Sequence, residues 1–255
     1  MGTIKFLYTN EYDLGTLTKS SEDTLNPAVF TFNRWPTRAW HSNALASPEW
    51  LKIDRGAGSL SAADFFAIRY TNLTSRATAK VQANASDFTP GGSPTVDSSL
   101  TVSQAIMVYL PGTGISLRYI GFPFVDASNP AGYIAVGRIG FGLSFTPSIN
   151  FIDEFTRNKT DLSLLTTSEG GQISSIQRPR RGAHTFPFKG LTANDIAYFD
   201  AIYTARGNGR DLWVCEDPDD AQNTTYYCRL ANTFDPKHIE GTELYELTII
   251  VEELL

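Results

Sequence analysis

Apolar and polar residues alternate with a period of two along several stretches of the chain. The clearest alternation spans residues 76–84, where alanine and valine at positions 77, 79, 81 and 83 are separated by polar side chains. Residues 65–70, by contrast, are apolar at almost every position. A period of two predicts a strand with one face in the core, and a continuous apolar run predicts a central strand covered on both faces.

Similar short runs predict further strands at residues 105–110, 116–121, 132–142, 184–188, 211–215, 226–230 and 244–253. One helix is predicted at residues 192–206. Thr192 and Asp195 have the spacing of a capping box at its start, and Gly207 suits its C-terminal end. The chain is therefore predicted to be all-β with a single helix.

The part of the chain between residues 40 and 86 carries an ordered set of signals. Trp40 and Ser42 precede a Trp-Leu-Lys-Ile-Asp-Arg-Gly run at residues 50–56, and strands at residues 68–73 and 77–86 follow. This order resembles the galactose-binding-like, or discoidin-like, domains, and the resemblance implies a β-sandwich of the jelly-roll type. Arg55 stands where that family usually has leucine, which predicts an exposed end of the strand.

The patterning changes after Pro147. We therefore predict two domains. The first, at residues 1–147, contains the galactose-binding-like jelly roll and an N-terminal entry strand. The second, at residues 148–255, is mainly β and carries the helix at residues 192–206.

The order of motifs over residues 25–255 also resembles a group of phage tail proteins. The matching signals are Gly137-Arg138 to Gly142 with Pro147, Gly170-Gly171-Gln172, Arg180-Arg181, Trp213 with Asp217-Pro218, and Leu247 to Glu252. The resemblance implies a minor tail or distal-tail protein at the tail tip, which forms a ring-like homo-oligomer and contacts other tail proteins. It also implies a location in the virion tail, after assembly in the host cytoplasm.

The balance of charge argues against a nucleic-acid partner. The formal net charge of the 255 residues is −6, whereas phosphate binding needs clustered lysine and arginine. The one basic run contains Arg178, Arg180 and Arg181, which we predict to lie in a loop. These three arginines are the candidate subunit contacts, facing acidic stretches such as residues 216–220, and a solvated surface is the alternative explanation.

The sequence carries no signal for a membrane. Its apolar runs are shorter than the roughly 18 residues of a membrane span, and the first eight residues lack the features of a signal peptide. We therefore expect no membrane partner and folding in a cytoplasm. In that reducing compartment Cys215 and Cys228 are expected to be free thiols, with a disulfide across a hairpin as the alternative.

The sequence shows no catalytic constellation. His41, His184 and His238 are not at metal-ligand spacing, and the chain contains no nucleophile elbow, Walker loop or dinucleotide fingerprint. We therefore predict that the protein is not an enzyme. We assign no catalytic, cofactor-binding or metal-binding residue, and no cofactor.

The alternative function is carbohydrate binding by the first domain, with a host surface glycan as partner. Trp35 and Trp40 are the candidate glycan contacts because an indole ring can stack on a sugar, although packing in the core would explain them as well. Calcium occupies a loop in many relatives of the fold. Asp54, Asp64 and Asp87 are the carboxylates to consider, but they do not form a cluster in one short segment.

Overall fold

The computed structural model describes residues 2–45, 48–58 and 60–254. The two predicted domains begin at Met1 and end at Leu255, and both of these terminal residues lie outside the described residues. The chain is mostly β-strand, as the sequence predicts. The strands are β1 (Lys5–Leu7), β2 (Thr16–Lys19), β3 (Trp40–His41), β4 (Glu49–Asp54), β5 (Phe65–Thr71), β6 (Thr78–Asn84), β7 (Val96–Leu100), β8 (Ile106–Tyr109), β9 (Tyr119–Val125), β10 (Ala135–Gly142), β11 (Thr156–Asp161), β12 (Leu164–Thr167), β13 (Ile173–Ile176), β14 (Arg180–Leu191), β15 (Asp211–Cys215), β16 (Thr225–Leu230), β17 (Lys237–His238) and β18 (Tyr245–Glu253). The α-helices are α1 (Ala193–Arg206) and the four-residue α2 (Ala221–Thr224).

The chain divides into two compact units. Unit 1 consists of Met1–Thr146 with Trp213–Thr225, and unit 2 consists of Pro147–Leu212 with Tyr226–Leu255. Trp213–Thr225 thus packs with the first part of the chain, although the predicted second domain includes it. That the chain forms two independently folding domains, divided at residue 147, stays a prediction.

Unit 1 is a β-sandwich of the jelly-roll type. Five antiparallel strands form one sheet in the order β2-β4-β9-β6-β7, and four form the other in the order β3-β10-β5-β8. Both sheets contribute to one apolar core. Its members include Leu51, Ile53, Val81 and Phe122 from the first sheet and Phe66, Ile68, Ile139 and Phe141 from the second. This shared core confirms the predicted sandwich.

The alternation in residues 76–84 places β6 as predicted, with one exception. Ala79, Val81 and Ala83 are buried in the core. Gln82 points to the other face of the sheet but is buried as well. Its side chain donates to Asp97 (2.9 Å) and accepts from the N–H of Gly91 (2.7 Å). A loop folds over this part of the outer face, which the alternation alone does not reveal.

The predicted exposed strand end at Arg55 is wrong. The Arg55 side chain is only 3% exposed and forms an ion pair with Glu11. Its guanidinium also donates to the carbonyl oxygens of Ile115 (3.2 Å), Leu117 (3.1 Å) and Ser61 (2.7 Å). Glu11 and acceptors from two loops thus surround the buried charge and bond its terminal nitrogens, which a leucine at this position would not need.

Trp213–Thr225 joins unit 1 through backbone pairing and through one side chain. β15 pairs with β1 in antiparallel register, with Lys5 opposite Cys215 and Leu7 opposite Trp213. Gln222 accepts a hydrogen bond from the N–H of Val108 (3.4 Å) and donates to the carbonyl oxygen of Ile106 (2.5 Å).

Unit 2 is built around β18. β14 pairs with one side of β18 over nearly its whole length, and β16 and β17 each pair with part of the other side. Leu247, Ile249 and Val251 are buried, as the alternation in residues 244–253 predicts. β11 extends the sheet beyond β14.

Helix α1 confirms the predicted helix. Thr192 is its N-cap, and a capping box links Thr192 and Asp195. Phe199 and Ile202 form its buried face, and the Phe199 ring lies 5.4 Å from that of Phe188 on β14. Among the described residues, neither this helix nor α2 combines the length and apolar composition that crossing a membrane requires.

Candidate functional site

The two tryptophans predicted to contact a glycan differ in accessibility. Trp40 is fully buried, and its indole N–H donates to the carbonyl oxygen of Ser21 (2.9 Å). Because neither face of its ring is open, Trp40 cannot stack on a sugar and instead packs in the core of unit 1. Trp35 is 46% exposed, and the Arg34 guanidinium lies 4.8 Å from its ring centroid. Only Trp35 therefore retains the geometry of a stacking platform.

The three aspartates considered for calcium each have a cationic partner of their own. Asp54 accepts two hydrogen bonds from Arg118 (2.6 and 2.7 Å), which lower the pKa of the carboxyl group. Asp64 pairs with Lys5 at 2.8 Å. Asp87 pairs with Lys52. No three residues of the metal-ligating types come together around a possible ion in the described part of the chain.

The arginines predicted as subunit contacts lie in a long β-hairpin. β11 pairs with the first residues of β14, and beyond this pair β12 pairs with β13. We call residues 156–181 the arm. Arg180 and Arg181 begin β14, opposite Asp161 and Thr160 of β11, so the prediction that they lie in a loop is wrong. Arg178 lies between β13 and β14, where its backbone N–H donates to the Ser163 hydroxyl (3.1 Å).

The three arginines differ in their ion pairs. The Arg180 side chain lies 3.7 Å from the Asp161 carboxylate, and the Arg181 side chain lies 3.4 Å from that of Glu252. Hydrogen bonds from Ser163, together with the nearby charge of Arg180, lower the pKa of Asp161. Arg178 is exposed and makes no ion pair with any residue that the structure describes.

The outer part of the arm is a two-stranded sheet that closes in a tight turn. The N–H of Gly171 donates to the carbonyl oxygen of Ser168 (2.9 Å), and the N–H of Ser168 donates to that of Gln172 (2.8 Å). Gly171 has a φ of 76°, a conformation that glycine adopts without strain. Every residue of β11, β12 and β13 is exposed. The arm thus lacks the burial that normally holds strands in place.

Apolar side chains occupy both faces of this outer sheet. On one face Leu164 lies directly opposite Ile176, and these side chains are 47% and 64% exposed. On the other face Leu165 and Ile173 are diagonal neighbours, 73% and 71% exposed. An isolated two-stranded sheet is marginally stable in water. Both apolar faces of this outer sheet are open to solvent in the single chain.

The arm is basic, whereas the chain as a whole is acidic. Residues 156–181 contain five arginine or lysine residues and two acidic residues, a net charge of +3. Because the whole chain has a formal net charge of −6, the remaining residues carry −9. The arm therefore has both exposed apolar surface and a charge opposite to that of the rest of the molecule.

The sequence prediction named the three arginines, whose role as subunit contacts stays a prediction, and it missed the apolar residues of the arm. The signal was present, because the Leu-Leu-Thr-Thr run at residues 164–167 and the run starting at Ile173 flank a Gly-Gly turn. Two β-prone runs around such a turn are typical of a hairpin. Their exposure follows only from the structure, since short apolar strands are usually buried.

Comparisons with known proteins find similar solved structures but no matching family. No family model matches the chain, and no curated protein matches it. Chitosan-binding module 1 from a chitosanase/glucanase of Paenibacillus sp. IK-5 is 16% identical, with 52% of this chain and 98% of the module aligned at a TM-score of 0.39. The family 32 CBM from C. perfringens NanJ, solved in complex with galactose, is 13% identical, and the alignment covers 54% of this chain and 98% of the module at a TM-score of 0.40. A Streptococcus pneumoniae fucose binding module is 11% identical, and the alignment covers 53% of this chain and 98% of the module at a TM-score of 0.40.

Proposed function

We propose that this protein is a structural subunit of a phage tail or phage-like particle, a minor tail or distal-tail protein that assembles into a ring of identical copies and contacts neighbouring tail proteins. The observation that carries the proposal is the arm, whose outer sheet exposes apolar side chains on both faces. The location in the virion tail, after assembly in the host cytoplasm, rests on the resemblance of residues 25–255 to phage tail proteins.

Covering the exposed apolar side chains of the arm would lower their free energy. Burying a leucine or isoleucine side chain contributes about 1.5–3 kcal/mol, so four of them provide a substantial driving force for association. A hairpin that is apolar on one face only could be covered by a single flat surface. Leu164 and Leu165 project from opposite faces, so covering both requires a partner surface that encloses the hairpin.

The symmetry of such a contact favours a ring. The arm of one copy would bind a different surface on the next copy, which is a heterologous contact. Heterologous contacts generate closed rings when the rotation between copies closes, and filaments when it does not. Rigid β-sheets behind the arm, such as the one formed by β14 and β18, suit a subunit that must hold a fixed angle to its neighbours.

The test is the assembly state of the full chain, followed by its location in particles. Light scattering on purified protein over a hundredfold range of concentration, with negative-stain electron microscopy, is expected to show rings. Antibody labelling of purified particles is expected to mark the tail. A chain that stays monomeric at every concentration and is absent from particles would contradict the proposal.

A second candidate function, glycan binding by unit 1, is supported by one side chain. Trp35 presents a partly exposed indole, with the Arg34 guanidinium over its ring, and an exposed aromatic face suits stacking on a sugar ring. The resemblance of residues 40–86 to galactose-binding-like domains is consistent with the same candidate. Binding of the full chain to an array of host surface glycans tests it, and silence on every glycan would count against it.

A further inference from the structure

The structure of unit 2 contains a surface that complements the arm. A cleft of about 270 Å³ is lined by Asn232, Thr233, Asp235, Lys237, Glu246, Leu247 and Thr248. It follows the side of β18 that faces away from β14. On this side β16 pairs with residues 251–253 of β18 and β17 pairs with residues 245–246, which leaves a gap between the two pairings.

A side chain partly fills that gap in place of a strand. Asn232 donates to the carbonyl oxygen of Thr248 (2.7 Å) and accepts from the N–H of Ile250 (3.0 Å). Thr248 itself is exposed. The N–H of Ala231 also donates to the carbonyl oxygen of Ile250 (2.8 Å). The cleft is therefore an open, polar depression beside β18, within the sheet, with room for side chains from another molecule.

The region around the cleft is acidic. Residues 235–246 contain four carboxylates and one lysine, a net charge of −3, whereas the arm carries +3. Asp235, Glu240 and Glu243 are exposed, and within residues 2–45, 48–58 and 60–254 they form no ion pair. Glu246 pairs with Lys189 at 3.0 Å on the surface. Most of this negative charge is thus available to an incoming cation.

The same region also offers apolar cover. Leu244 is among the large apolar side chains that the structure leaves exposed, at 38%, whereas Leu247 lies buried at the floor of the cleft. The neighbouring Ile239 is partly buried. A basic hairpin with apolar side chains would therefore find both opposite charge and apolar surface in one place.

We infer that the acidic cleft around Asp235 and Glu246 receives the arm of a second copy of this chain, with Arg178 and Arg180 facing the carboxylates. This inference rests on the proposed function and adds the two surfaces that meet. The occupant is a second copy because the two complementary regions lie on the same polypeptide. The arm has a net charge of +3, and residues 235–246 have a net charge of −3. The stretch at residues 216–220, which the sequence suggests as the acidic partner, is less suited, since Glu216 is buried and Asp217 accepts from the N–H groups of Gly2 (2.7 Å) and Asp219 (3.1 Å).

A charge-swap experiment on the full chain tests the inference. One variant carries Arg178→Glu and Arg180→Glu, so that arm and cleft are both acidic. The other carries Asp235→Lys and Glu246→Lys, so that both are basic. Each alone is expected to weaken self-association at least about tenfold, because like charges then meet at the contact. An equimolar mixture is expected to restore assembly, since every arm then meets a cleft of opposite charge.

A matched control separates the contact from general charge effects. Asp153→Lys with Glu154→Lys makes the same change of charge as the cleft variant, at two exposed positions of unit 2 outside the cleft, and is expected to assemble like the unaltered chain. Two results would overturn the inference and leave the proposed function standing. In the first, both swap variants assemble normally; in the second, the unaltered chain forms rings but the mixture fails to assemble. Assembly only with a different tail protein overturns it as well. If the unaltered chain does not associate at all, the proposed function fails with it.

Discussion

Leu164 and Ile176 face each other across the outer sheet of the arm, and both side chains are open to water. Directly opposed apolar residues normally mark the buried face of a sheet. On the opposite face Leu165 and Ile173 are diagonal neighbours and also exposed, so both faces of this sheet present apolar side chains to water.

Replacing one apolar pair of the arm should impair assembly without unfolding the protein. Leu164→Ser with Ile176→Ser is expected to weaken self-association about a hundredfold, at about 1.5 kcal/mol for each side chain that loses its cover. The free energy of unfolding should change by less than about 0.5 kcal/mol, because these side chains are exposed in the single chain. Sedimentation velocity and urea denaturation measure the two effects. Leu25→Ser, at another exposed leucine, is the control and should change neither; normal assembly of the double variant would argue against the arm as a contact.

The capping box of α1 should make the stability of unit 2 depend on pH. Asp195 is buried and accepts hydrogen bonds from Ser148 N–H (2.9 Å), the Ser148 hydroxyl, Thr192 N–H (2.9 Å) and the Thr192 hydroxyl (2.7 Å). Burial opposes ionisation, but the hydrogen bonds together outweigh it and lower the pKa of the Asp195 carboxyl group. Asp195→Ala is expected to cost about 2 kcal/mol at neutral pH.

The direction of the pH effect follows from the lowered pKa. A carboxyl group that is more acidic in the folded state stabilises that state above its unfolded pKa of about 3.9, and the contribution is lost as pH falls through the folded pKa. The difference between the unaltered chain and Asp195→Ala should therefore shrink below about pH 4. Asp200→Ala, at an exposed carboxylate of the same helix, should cost little at any pH. A cost for Asp195→Ala that is the same at pH 3 and pH 7 would exclude the ionised carboxylate as its source.

A buried ion pair in unit 1 should be sensitive to the loss of one partner. Arg138 is almost fully buried and forms two hydrogen bonds of 2.5 Å with Asp13. Asp13→Ala is expected to destabilise the protein by about 3 kcal/mol, because it removes the carboxylate that accepts two hydrogen bonds from the buried guanidinium. Chemical denaturation measures this cost.

An exposed ion pair gives the comparison for Arg138. Lys80→Ala breaks the pair between Lys80 and Asp97, whose side chains are both exposed, and leaves the hydrogen bond from Gln82 to Asp97 in place, so it should cost less than about 1 kcal/mol. Adding Arg138→Met to Asp13→Ala should recover part of the lost stability, since the buried charge is then gone. Equal costs for Asp13→Ala and Lys80→Ala would mean that burial adds nothing to the Arg138 pair.

The two cysteines should be unreactive in the folded protein. Cys215 and Cys228 are free and buried. Burial raises the pKa of the Cys215 thiol to about 11 and raises that of Cys228 well above its ordinary value. Because the thiolate is the reactive form, a chromogenic thiol reagent at pH 8 should detect no thiol in the native chain and two after denaturation without reductant. Finding no thiol after denaturation would indicate a disulfide.

Trp35 gives a test of the second candidate function. If a glycan array yields a signal, Trp35→Ala is expected to reduce binding about tenfold, because the sugar then loses both the stacking face and the apolar area of the indole. Tyr198→Ala, at an exposed aromatic residue of α1, is the control and should bind normally. Unchanged binding by Trp35→Ala would remove the one side chain that supports this candidate.

The sequence by itself determined the local structure of most elements. Alternation with a period of two fixed the inward faces of β6 and β18, since a strand places successive side chains on opposite faces whatever surrounds it. The spacing of Thr192, Asp195 and Gly207 fixed both ends of α1, because capping depends on neighbours a few residues apart. These features involve only short separations along the chain.

Only the tertiary structure decided which side chains are covered. Trp40 and Trp35 look alike in the sequence, yet Trp40 is enclosed between sheets and Trp35 is open to water. Arg55 is buried because Glu11 and the carbonyl oxygens of distant loops surround it. The leucines of the arm are exposed because no other described element packs on β12 and β13. Burial depends on residues far apart in the chain, and for that reason the candidate contact surface emerged only from the fold.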